Sequence, residues 1–129
     1  MSQSRNTTQT VAGIRVGNTA TLNNVRLNRS SVSQGSSMTS GVTINTPAGF
    51  IFTHTTGTLA TGGSVVFAVT NTAVRSDSIV LSDIVNHGGA GIPIVRVSAV
   101  TEGSFNVSVR NIDLTNALTG SVRLAYTIL

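Results

Sequence analysis

PIVRVSAVTEGSFNVSVRNIDLTNALTGSVRLAYTIL, residues 93–129, decides the fold. Val95, Val97 and Ala99 interleave with Arg96, Ser98 and Val100. Phe105, Val107 and Val109 interleave with Asn106, Ser108 and Arg110. Val122, Leu124, Tyr126 and Ile128 interleave with Arg123, Ala125 and Thr127. A period of two sends successive side chains to opposite faces of a strand. Residues 101–104, TEGS, are short enough to join the first two runs as a hairpin. Residues 113–120 form a longer connection, with room for one helical turn at most.

Working upstream, the same grammar recurs. Residues 42–45, 50–55, 64–71 and 78–82 read as short strands. Thr46-Pro47-Ala48-Gly49 reads as a turn, with Pro presetting φ. Residues 83–93, DIVNHGGAGIP, read as a Gly-rich loop. No segment sustains apolar residues at i, i+3, i+4 and i+7, so the prediction is all-β. Seven short strands with regular turn signals predict an antiparallel β-sandwich or jelly-roll-like domain over residues 41–129.

Residues 1–40 are different. Residues 1–10 are polar, and residues 11–27 read as one or two short strands or as an extended arm that orders on a partner. The Ser-rich residues 28–41 read as a linker. This segment carries Arg5, Arg15, Arg26 and Arg29 and no acid. In residues 41–129 four Arg balance Asp77, Asp83, Glu102 and Asp113, so the net charge of +4 resides in the arm. A basic extension fits an acidic partner surface, and equally a solvated tail. Four Arg spread over 40 residues are thin for a nucleic-acid footprint, and only Phe, far downstream, could stack on bases, which speaks against nucleic acid as the partner.

Composition sets further bounds. The 129 residues suit one domain, 9% are charged and 40% are hydrophobic, which places the chain among folded proteins. With no Cys, no disulfide can support it, and self-association is the obvious substitute. All eight cations are Arg, which suits interfaces or reflects a GC-rich genome. No export signal and no run of 18 apolar residues is visible, so the expectation is a product that stays in the cytoplasm where it is made, unless it leaves as part of a particle, with no membrane span.

A search for chemistry predicts no catalytic residues, no cofactor and no metal. The two His, His54 and His87, stand apart, and a zinc site needs three or four close ligands. No nucleophile elbow of the form G-x-S-x-G appears. Residues 86–91, NHGGAG, mimic a phosphate loop but lead into a strand rather than a helix. They read as an apical loop or as a contact to a partner.

The ordered set GVTINTPAGFI (41–51), LATGGSVVFAVTN (59–71), DSIVLS (77–82), NHGGAG (86–91) and EGSFNVSVRNI (102–112) resembles a small β-sandwich domain of tailed-bacteriophage virion proteins. That domain recurs in head decoration proteins, head fibres and tail-fibre tips. The resemblance implies a structural role in the virion and a homotrimer, with no catalytic residue to carry over. In fibres the domain ends a long shaft. Here a 40-residue basic arm takes the shaft's place, which favours a capsid decoration, or cement, protein on the major capsid shell. Arg5, Arg15, Arg26 and Arg29 are then the candidate capsid contacts. The alternative is a tail-fibre or head-fibre tip that binds a receptor or carbohydrate.

Overall fold

A computed structural model describes residues 28–129. Among them the chain is all-β, with ten strands and no helix. They are β1 (Arg29–Ser33), β2 (Val42–Thr43), β3 (Ala48–Phe52), β4 (Thr58–Leu59), β5 (Ser64–Thr70), β6 (Val80–His87), β7 (Pro93–Thr101), β8 (Ser104–Asn111), β9 (Leu118–Thr119) and β10 (Val122–Ile128). Two four-stranded sheets form, in the orders β1-β3-β10-β6 and β2-β5-β8-β7, with β4 and β9 pairing apart from both. The arrangement is sandwich-like.

Alternation builds the core between the sheets. One sheet sends in Val65, Phe67 and Val69 from β5 and Phe105, Val107 and Val109 from β8. The other sends in Ile51 from β3 and Val122, Leu124 and Tyr126 from β10. Phe105 meets Tyr126 across the sheets with ring centres 5.9 Å apart and planes tilted by 53°. Such tilted pairs contribute about 0.5–1.5 kcal/mol beyond the area they bury.

The seven strands expected from residue 42 onward are all present. Most neighbours are antiparallel, but β1 runs parallel to β3 and β2 parallel to β5. Parallel neighbours need a crossover. The chain supplies one by passing from β1 through β2 in the other sheet before returning to β3.

Besides Ala48-Gly49, read as turn but opening β3, and residues 53–55, read as strand but lying past its end, two segments depart from the sequence reading. Residues 28–41 are not a linker: β1 extends a sheet, and Met38 and Gln34 are buried. Gln34 closes the Ser-rich loop, because its Nε2 donates to Met38 O (2.8 Å) and Ser40 O (3.0 Å) while its Oε1 accepts from the His54 backbone (3.1 Å). One buried amide thus organises a stretch whose composition reads as loose.

The second departure is residues 83–87, expected to be loop and found in β6. Pairing with β10 holds this extension, with Val85 as an extra residue between Ile84, which faces Leu124, and Asn86, which faces Arg123. Residues 88–91 are a Gly-rich loop, as read. It lies against β9, where Thr119 N donates to Ala90 O (3.1 Å) and Ala90 N to Thr119 Oγ1 (3.0 Å). A Cβ on Gly89 would come within 1.9 Å of Thr119 O, and Gly91 has φ +87° with Leu118 Cα 2.6 Å from where a Cβ would sit. These glycines permit backbone contact rather than movement.

Candidate functional site

The side chains that could meet a partner lie on the outward faces of the two sheets. On the β1-β3-β10-β6 sheet, odd and even positions separate cleanly. Ile51, Leu124 and Tyr126 point in, while Phe50 and Phe52 stay half-buried on the outside. The register sets Arg123 opposite Phe52, and the Arg123 guanidinium lies 4.1 Å above the Phe50 ring centre and 5.7 Å from that of Phe52. Arg29 approaches Phe50 from the other side, at 5.8 Å. Arg123 Nε is shut away from solvent without a hydrogen-bond partner among the described residues. Towards the β6 edge, Leu81, Asp83 and Val85 are exposed in alternation, beside a depression of about 330 Å³ lined by Ala125 and Thr127.

The opposite face, on β2-β5-β8-β7, is more unusual. Ser64, Arg110 and Ile94 align across β5, β8 and β7, and Val66, Ser108 and Arg96 form the next row. Ile112 joins beside Ile92, whose carbonyl accepts from Ile112 N (2.9 Å). Val66, Ile92, Ile94 and Ile112 are all about half exposed. On this face lies a groove of about 450 Å³ lined by Ser64, Val66, Ile94, Val95, Arg96, Ser108 and Arg110. In the loop that follows Ile112, Leu114 is 92% exposed. Asp113 holds that loop: its Oδ1 accepts from the backbone of Thr115 (2.8 Å) and Asn116 (3.0 Å). Those two N–H groups keep the Asp113 carboxyl below the usual carboxylate range.

The other polar side chains serve local structure. His54 Nδ1 meets Thr56 Oγ1 (2.8 Å), at a turn rather than in mid-strand. His87 Nε2 meets Thr119 O (2.8 Å). Glu102 pairs with Arg75 at 2.6 Å on the surface. Tyr126 donates to Thr46 O (2.7 Å) and accepts from Asn71 Nδ2 (3.3 Å); burial pushes its phenol above the ordinary value. Among the described residues no three His, Cys, Asp or Glu side chains gather as metal ligands would. No helix among them is long and apolar enough to cross a membrane.

Of the four arginines named from sequence, Arg5, Arg15 and Arg26 lie outside the described residues. Arg29 begins β1, in the sheet and beside Phe50. Sequence reasoning passed over Arg96, Arg110 and Arg123. The signal was available: each shares strand parity with outward apolar neighbours, Arg96 with Ile94, Arg110 with Ile112, and Arg123 with Ala125. No family model matches the chain, and no curated protein or solved structure does so.

Proposed function

We propose that the chain is a non-enzymatic structural protein of a bacteriophage virion, a capsid decoration protein that binds the outside of the head as a homotrimer and stabilises it. One observation carries the reading furthest: both sheets present half-exposed apolar side chains around arginines, on a small domain with no Cys. An isolated domain gains nothing from such faces, whereas an assembly buries them. The fold supports the same reading. The order β3-β10-β6 faces β5-β8-β7, with the chain crossing between sheets from β5 to β6, β6 to β7 and β8 to β10, as in a jelly-roll-like sandwich.

In this reading the basic arm lies on an acidic shell, and three attachments per trimer multiply modest contacts. Arg5, Arg15, Arg26 and Arg29 make those contacts. The experiment mixes purified protein with phage heads, separates them by sedimentation, and heats both forms. Co-sedimentation, with greater heat resistance of decorated heads, supports the proposal. Binding to tails with competition for cell adsorption replaces it by a fibre-tip module.

A further inference from the structure

We propose that the outward patch Leu81-Asp83-Val85 of one copy docks, head to tail, on the Val66-Ile94-Arg96-Arg110 face of a second copy. The inference rests on the self-association contained in the preceding reading, but not on attachment to a shell.

The two patches complement each other in charge and shape. On β6 a single carboxylate stands between two apolar side chains, Leu81 at 55% and Val85 at 49% exposure. On the β5-β8-β7 face two guanidinium groups stand among apolar side chains, and no carboxylate shares the outward positions of those strands. Among the described residues the one ion pair is Arg75–Glu102, which leaves Asp83, Arg96 and Arg110 without an ionic partner there. A guanidinium fork binds a carboxylate through two parallel hydrogen bonds. The groove beside it is floored by the small side chains of Ser64 and Ser108, with space for an aliphatic group.

Self-pairing of like faces is disfavoured. Two copies joined through the arginine face would bring four guanidiniums together with no acid between them, and like charges across an interface are costly. Two copies joined through the β6 face would offer Asp83 the guanidinium of Arg123, which is committed to Phe50 with its Nε closed off, and that of Arg29, which also lies by Phe50 and starts the strand at the opposite edge of the sheet. The two patches belong to different sheets, so a contact between them is heterologous: it closes into a ring or grows as a filament according to its rotation.

The test uses the full chain and two charge variants, Asp83→Arg and the pair Arg96→Glu with Arg110→Glu. All three positions are exposed. Far-UV circular dichroism and melting confirm that each variant folds. Light scattering after size exclusion should show an oligomer for the wild type and a smaller species, at least tenfold weaker in association, for each variant alone. Mixing the two variants should restore association between unlike copies, because each supplies what the other needs; a ring of three cannot alternate two kinds of copy, so the readout is a complex containing both variants rather than the wild-type mass. A variant that keeps the wild-type mass alone, or a mixture that stays dissociated, overturns the contact while leaving self-association in place. A wild type that remains monomeric at every concentration overturns both.

Discussion

Arg123 and Phe50 form a stacked pair on an outward sheet face, with the guanidinium 4.1 Å over the ring centre. The pair joins two adjacent strands, β10 and β3. Cation–π attraction contributes about 0.5–2 kcal/mol, depending on desolvation. Against it stands the buried Arg123 Nε–H, and an unsatisfied buried donor costs about 1–3 kcal/mol. The two nearly cancel, so the apolar surface covered by the aliphatic stem decides the balance. Arg123→Met should therefore stay within about 1 kcal/mol of the wild type, by these offsetting magnitudes, and Arg123→Ala should fall well below it. Urea unfolding of the two variants measures the difference.

Truncation separates the arm from the fold. Removing residues 1–27 should leave the described sheets intact and, if the proposed role holds, weaken attachment to heads. Removing residues 1–40 also takes away β1, Gln34 and Met38, which is buried at 6% exposure. Loss of a buried Met side chain alone costs about 2–5 kcal/mol. The shorter product should melt far lower or fail to fold, which differential scanning calorimetry distinguishes directly.

The Gly-rich loop gives a third prediction. Gly89→Ala places a methyl group against the Thr119 carbonyl, and Gly91→Ala adds an unfavourable φ to a clash with Leu118. Overpacking costs about 1–3 kcal/mol, and the left-handed conformation adds about 1–2 kcal/mol for a residue with a Cβ. Both variants should be clearly destabilised. Gly88→Ala is the control, since a Cβ there meets nothing within 4 Å.

Alkaline pH should act through Tyr126. Burial raises its pKa in the folded chain above the ordinary 10.0. The folded state then holds its proton where the unfolded state has lost it, so this stabilisation is complete below about 10 and is lost as pH rises through the folded value. The chain has one Tyr and no Lys, so few other groups titrate in that window. Stability measured by urea should fall on crossing it, and Tyr126→Phe should flatten the fall. That variant also loses the bonds to Thr46 and Asn71 and should be less stable at neutral pH.

Strand alternation made most of the fold legible, because a period of two survives without any knowledge of neighbours. Phe105, Val107, Val109, Leu124 and Tyr126 were readable as one inward set for that reason. Single polar residues that act through distant backbone were not readable. Asn111, fully buried, donates to Leu59 O, Ala60 O and Asn116 O and accepts from Ile92 N and Asp113 N. Nothing in its local sequence distinguishes it from the solvent-facing Asn106. The Ser-rich segment was misread for the same reason, since Gln34 ties it to residues some 20 positions away. The candidate surface was half legible: the parity of Arg96, Arg110 and Asp83 lay in the sequence, but which strands stand side by side did not.

The pairing of β1 with β3 has a mechanical meaning. Arg29 is where β1 begins, and all five residues of that strand, Arg29 to Ser33, match Ala48 to Phe52 of β3 in register. Gly49 allows the close approach, since a Cβ there would sit 2.7 Å from Ser30 O. A pull along the strand axis loads the whole register at once, in shear, whereas a pull outward opens it one residue at a time from Arg29. Forced unfolding follows the unfolding barrier rather than the equilibrium. β1 should therefore hold firmly under lateral strain and release readily when peeled.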